Sequence, residues 1–324
     1  MSALAVPVWA WALLAVIVCV SVSIDLFAHR GDHVDSRGRA LAWSIGWVTL
    51  ALGFNGFVAY RFGLEAGEQF LAAYLLEKSL SVDNLFVFLL VFSALRIPTT
   101  EQRRVLTWGI AGAIVTRGVL IFVGAAAVHR WHSLLWVFGA LLVIAALKLL
   151  HEPAPSSENR LLRWLERHVP WTPRLDGHHF VTRVRGRRVA TPLLLALVAI
   201  ELTDVVFAID SVPAAFAVTE EPFLIYSSNL FAILGLRALY VVLAGALADL
   251  RYLRFGLAAV LAFAGSKLLL GSWIKVPPLV SVGIIAACIG VAVVASVYRN
   301  RRDRRNLRIP AARSAGEREC PAPP

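Results

Sequence analysis

Nine apolar runs, most of them about 20 residues long, succeed one another between residues 7 and 298. A helix needs about that length to cross the hydrocarbon core of a bilayer, where every backbone amide must find its partner inside the protein. The runs are continuous and do not alternate with period two, so they specify helices and exclude a barrel. Apolar residues make up 58% of the 324 positions and charged residues 16%, too apolar a balance for an ordinary soluble domain. The expected fold is all-α: a polytopic helical membrane protein with spans near 7–28, 41–60, 70–94, 106–128, 132–151, 191–217, 222–248, 254–273 and 277–298. Residues 1–298 form the transmembrane domain, a large loop occupies 152–190, and 299–324 reads as a disordered basic tail.

Charge sets the orientation. With the N-terminus outside, 24 of the 32 Lys and Arg fall on the inner side and only Arg61, Arg130 and Lys275 outside. The other five lie within spans. Positive residues accumulate on the cytoplasmic side, so the chain is expected to sit in a bacterial cytoplasmic membrane with N-terminus out and C-terminus in. A net charge of +11 is compatible with a nucleic-acid partner, but the run Arg299-Asn-Arg-Arg-Asp-Arg-Arg directly follows the last span. There it meets the bilayer and anionic lipid rather than nucleic acid. No basic residue precedes the first span, which is the reverse of a signal peptide's charge order. Cys19, Cys288 and Cys320 form no CxxC and no disulfide framework.

Two segments repeat each other. Glu77-Lys-Ser-Leu80-Ser81-Val82-Asp83-Asn84 and Asp204-Val-Val-Phe207-Ala208-Ile209-Asp210-Ser211 share one pattern: an acid, two residues, a large apolar residue, a small one, a β-branched one, Asp, then Asn or Ser. Downstream, Arg117 answers to Arg237 and Lys148 to Lys267, at offsets close to those of the acids. The unit is three spans long, copy A covering about 70–151 and copy B about 191–273. In the orientation above, the copies cross the bilayer in opposite directions. Such an inverted repeat is the build of many secondary transporters, with the site near the midplane between the halves.

Glu77, Asp83, Glu201, Asp204 and Asp210 are deep in spans, facing Arg117 and Arg237, with Lys78 as a third base. An ionised side chain at the bilayer centre costs roughly 2.5–3.5 kcal/mol on insertion scales, so a duplicated set is expected to work. The deep layer is short of positive charge. A divalent cation would supply it, and protonation of carboxylates, which desolvation favours, would equally remove the imbalance. Glu201 and Asp204 lie about 60° apart on a helix and Asp210 about 120° round from Asp204. Either the helix breaks, with Pro213 as the place for a kink, or each helix contributes one acid across the pseudo-twofold. With Asn84 and Ser211 the donors are all oxygen, which suits Mn²⁺, Mg²⁺ or Ca²⁺. The alternative is that Arg117 and Arg237 pair with the acids merely to lock the bundle. Asp25, at the inner end of the first span, is an accessory candidate. Lys148 and Lys267 read as snorkelling anchors, and His178-His179 as part of a solvated loop.

The stretches EKSLSVDNLFVFLLVF (77–92), ELTDVVFAIDSVPAAFAVT (201–219) and SSNLFAILGLRALY (227–240) resemble the signature segments of the TerC/Alx family of integral membrane proteins. The resemblance runs from Asp25 to about Leu270. It implies kinship with the lysine-exporter superfamily, with tellurite-resistance loci and with manganese homeostasis. It also implies Glu77, Asp83, Asn84, Glu201, Asp204, Asp210 and Ser211 as functional metal positions, Mn²⁺ being cargo rather than a tightly bound cofactor. An exporter of a divalent cation, with proton exchange as one coupling, is the leading reading. A membrane scaffold in a stress- or tellurite-resistance complex is the alternative. An enzyme using paired carboxylates ranks last, since no nucleophile elbow, HExxH or GxGD motif is present.

Overall fold

The computed structural model describes residues 6–28, 37–131, 133–151, 157–184, 186–243, 252–271, 273 and 276–316. Among these residues eleven helices follow in order, with one hairpin between the sixth and seventh: α1 (Val8–Ala28), α2 (Arg37–Phe62), α3 (Leu64–Ala94), α4 (Thr99–Arg130), α5 (Leu134–His151), α6 (Ser157–His168), β1 (Val181–Val184), β2 (Arg187–Ala190), α7 (Pro192–Phe216), α8 (Pro222–Leu234), α9 (Leu236–Leu243), α10 (Leu253–Leu270) and α11 (Pro278–Gly316). The protein is an all-α, multi-pass membrane protein. Among the described residues, Gly38–Phe62, Thr99–Arg130, Pro192–Phe216, Pro222–Val242 and Pro278–Arg299 are long and apolar enough to cross a bilayer. Val8–Ile24 and Leu134–Leu150 are shorter apolar helices. α3 has the length, at 31 residues, but carries Glu65, Glu68, Glu77, Lys78 and Asp83.

The surface carries large apolar side chains where a soluble protein carries charge: Val115, Val119 and Val123 on α4, Val206 and Ile209 on α7, Val291 and Val294 on α11 are all more than half exposed. Arg117, Asn84, Ser227, Ser228 and Asn229 are buried instead. Lipid is the solvent that makes this distribution favourable.

α3, α4, α7 and α8 form the centre, each of α3 and α4 packing on both α7 and α8. Among the described residues, α5 and α10 make the broadest helix pairing. Gly139 and Gly265 meet there so closely that a Cβ on Gly265 would sit 2.8 Å from the Gly139 carbonyl oxygen, the small-residue approach typical of membrane helices. α3 turns into α4 through Arg96, in the left-handed region at φ 50°. Ile97 N–H donates to the Phe92 carbonyl at 2.9 Å and Arg96 N–H to Ser93 at 3.2 Å, a Schellman closure with Arg where Gly is usual.

Three sequence expectations need revision. α7 runs unbroken through Pro213 to Phe216, because a proline in the last turn removes only one hydrogen bond of the ladder. The interruption falls at Gly235, between α8 and α9, inside the stretch expected as one span. The loop 152–190 contains α6 and an antiparallel hairpin in which Val181 pairs with Ala190 and Arg183 with Arg188. His178 there is not simply solvated: its Nδ1 lies 2.8 Å from Glu101 Oε1 of α4. Phe180 packs under Arg104 at 5.6 Å, and Thr191 donates to the His179 carbonyl at 2.8 Å. Finally, α11 continues as helix to Gly316, through most of the basic tail.

Candidate functional site

Arg117 is the hub. It is 2% exposed, at the middle of α4, and its guanidinium reaches two other helices. Nη1 lies 2.8 Å from Glu77 Oε2 of α3 and Nη2 2.8 Å from Asp204 Oδ1 of α7. Nε donates to Asp204 Oδ2 at 3.1 Å, so Asp204 is held bidentately by the Nε and Nη2 edge of the guanidinium. Asn84, two turns further along the same face of α3 as Glu77, donates its Nδ2 to Asp204 Oδ1 at 3.2 Å. Glu77 and Asp204 are 1% and 5% exposed. A pair of ions removed from water repays its desolvation only with geometry of this quality.

Glycine shapes the α4 side of the site. A Cβ on Gly112 would overlap the carboxylate of Glu201, so the absence of a side chain is what admits that acid between α4 and α7. Glu201 is one helical turn before Asp204, and their charges act on each other. At Gly118 the ring of Tyr226 fits in the same way, 3.1 Å from where a Cβ would stand. Two carboxylates, Glu77 and Asp204, therefore share one guanidinium, and Glu201 stands one turn before Asp204, against Gly112. Lys78 does not balance them, because its ammonium donates to the Ala232 carbonyl at 3.3 Å, close to the interruption at Gly235.

The residues read from the sequence as metal ligands divide into groups. Glu77, Asn84, Asp204 and the accessory Arg117 come together, with Glu201 beside them. Asp210 does not join: it lies further along α7, where Lys148 of α5 is near enough for their charges to interact. Ser211 is buried, and its hydroxyl has no hydrogen-bond partner among the described residues. Arg237 is 4% exposed on α9. The side chains of Asp83 and Asp25 lie outside the described residues. Among the described residues no three of His, Cys, Asp and Glu stand close enough to share one metal ion.

Sequence reading missed Asn229. It is fully buried on α8 and lies beside Glu77, near enough to interact with its carboxylate yet outside hydrogen-bonding geometry. The signal was present as Ser227-Ser228-Asn229, three polar residues in a row within an apolar stretch.

A family model described as "Integral membrane protein TerC family" matches residues 62–304. An uncharacterized membrane protein of Myxococcus xanthus is 47% identical over 296 residues, covering 90% of this chain and 92% of that one. Alx of Escherichia coli (strain K12), described as a proposed membrane-bound redox modulator, is 41% identical over 305 residues, 90% of this chain and 95% of its own. The thylakoid membrane protein TERC of Arabidopsis thaliana is 39% identical over 306 residues, 87% of this chain and 80% of its own. No solved structure matches the chain.

Proposed function

The chain belongs to the integral membrane protein TerC family, and from that premise we propose that it exports a divalent metal cation, Mn²⁺ before others, across a bacterial cytoplasmic membrane. The observation that carries the reading is the surplus of carboxylate in a lipid-facing bundle: buried Glu77 and Asp204 share the guanidinium of Arg117, and half-buried Glu201 stands one turn before Asp204. Charge of that sign in a dry interior attracts a hard cation and repels an oxyanion such as tellurite. The donors are oxygens, which suits Mn²⁺ over softer ions.

Glu77 and Asp204 occupy equivalent positions in the two copies of the repeated motif. Nine spans, an inverted repeat of 70–151 on 191–273 and an outside N-terminus complete the reading, with the cation passing between the halves. Arg117 then acts as a tethered counter-cation: it neutralises Glu77 and Asp204 in the absence of cargo, and an entering divalent ion displaces it. Proton exchange provides the coupling, since carboxylates that release a metal into a dry site take up protons. Asp83, Asp210 and Ser211 serve as further oxygens along the path, and Asp25 at its mouth.

The word redox in the name of the enterobacterial relative fits this reading if the transported metal is itself redox-active. The two described thiols, Cys19 of α1 and Cys288 of α11, are free. A scaffold role is the second reading, favoured by the Arg117 ion pairs, which also lock helices together, and by the folded α6–hairpin segment as a docking surface.

Elemental analysis of cells with and without the protein, across Mn, Mg, Ca, Fe and Zn, tests the proposal. Manganese falling on expression supports export; unchanged content of all five favours the scaffold.

A further inference from the structure

Buried polar atoms without partners gather on the interface of α3 with α8. Glu77 uses Oε2 for Arg117, and its Oε1 has no hydrogen-bond partner among the described residues. Asn229, fully buried across that interface, has neither amide atom within bonding geometry of a partner among the described residues, although it lies beside Glu77. The hydroxyl of Tyr74, one turn before Glu77 on α3 and 3% exposed, is also without a partner there. Leaving an amide and a carboxylate oxygen unmet in a dry interior is costly, and natural proteins rarely do so without a water, an ion or a mechanism at that place.

We infer that Asn229 is a cation ligand, its Oδ1 forming with Glu77 Oε1 a two-oxygen half-site for a hard divalent cation. The inference rests on the export reading and adds a residue to its site. The chemistry is specific. Glu77 has two oxygens and Arg117 holds one, so the other is available to cargo while the guanidinium is still in place. A neutral amide oxygen adds coordination without adding a charge that would trap the ion. Because Asn229 belongs to α8 and Glu77 to α3, a cation bound between them crosslinks the two helices where α8 ends at Gly235. A resident water, or a purely structural amide, is the competing occupant.

The test uses the full chain purified in detergent and titrated with MnCl₂, MgCl₂ and CaCl₂, thermal stability being the readout. The wild type should be stabilised by the ion it binds. Asn229→Leu removes both unmet amide atoms at similar volume. It should leave metal-free stability unchanged or higher, and raise the concentration for half-maximal Mn²⁺ stabilisation at least about tenfold. Asn229→Asp places a second carboxylate beside Glu77. It should be less stable than the wild type without metal and show a larger Mn²⁺-induced rise. If Asn229→Leu responds to metal like the wild type, the inference is overturned. It is also overturned if Asn229→Asp is destabilised and Mn²⁺ gives it no larger rise than the wild type, and this second variant decides the matter if Asn229→Leu does not fold. No response of the wild type to any divalent ion overturns the export reading itself, whereas a responding wild type with unaltered variants removes Asn229 alone.

Discussion

Glu77 and Asp204 stand 127 positions apart, at the same place in two copies of one motif, and each lies 2.8 Å from a different terminal nitrogen of Arg117. One guanidinium thus ties α3 to α7 through α4. The arrangement is electrically incomplete, since one guanidinium faces two carboxylates.

Arg117→Gln leaves two buried carboxylates facing each other with no cation. Breaking a buried ion pair from one side costs about 3–5 kcal/mol, so this variant should be strongly destabilised in thermal unfolding and poorly retained in the membrane. Arg117→Lys keeps the charge but loses the fork and should lose less, about 1–3 kcal/mol. Adding Glu77→Gln and Asp204→Asn to Arg117→Gln should restore much of the stability, because no uncompensated charge remains.

Gly112→Ala and Gly109→Ala separate a needed glycine from an incidental one. A Cβ on Gly112 overlaps the Glu201 carboxylate, whereas one on Gly109 stands 3.5 Å from Ile200 Cγ2, in ordinary contact. Gly112→Ala should lose about 1–3 kcal/mol and, with Glu201 displaced, most transport. Gly109→Ala should be neutral or slightly stabilising, as alanine favours a helix by about 0.5–1 kcal/mol. Unfolding midpoints of the two purified variants give the comparison.

The hairpin segment is held to α4 by His178 on Glu101 and by Phe180 under Arg104, and to the start of α7 by Thr191. The His178 side chain is 65% exposed, so Glu101→Gln should cost no more than about 1 kcal/mol globally. Its effect should be local: faster protease cleavage within residues 171–190, with transport retained. Loss of transport in this variant would tie the hairpin to the cycle.

Reporter fusions placed after Arg39, within 155–185 and in the tail should all read cytoplasm, and fusions near Glu65 and Glu220 the exterior. Two neighbouring loops on one side would dissolve the inverted repeat.

The lipid-embedded helices were the legible part. The expected span 41–60 lies within α2, 106–128 within α4, and 191–217 differs from α7 by one residue at each end. Composition alone decides these, because solvation by lipid acts on every residue of a run. α6 was hidden in a short charged segment, and the hairpin in a loop rich in arginine. Gly235 looked like any other glycine in an apolar stretch, and nothing local showed that Lys78 would sit against it. The acids of the site were legible because charge within a span is conspicuous. Their pairing was not: Arg117 lies 40 residues from Glu77 and 87 from Asp204, and only the packing of three helices makes them neighbours.

The most direct measurement is Mn²⁺ flux into proteoliposomes holding the wild type, Glu77→Gln, Asp204→Asn or the double variant, at matched protein content. Each substitution keeps size and hydrogen-bonding capacity nearly constant while removing one charge from the Arg117 cluster. The account predicts flux in the wild type, loss of nearly all of it in either single variant, and little further loss in the double, because ligands acting as a unit are not additive. Wild-type flux in both single variants, or none in the wild type, would contradict it.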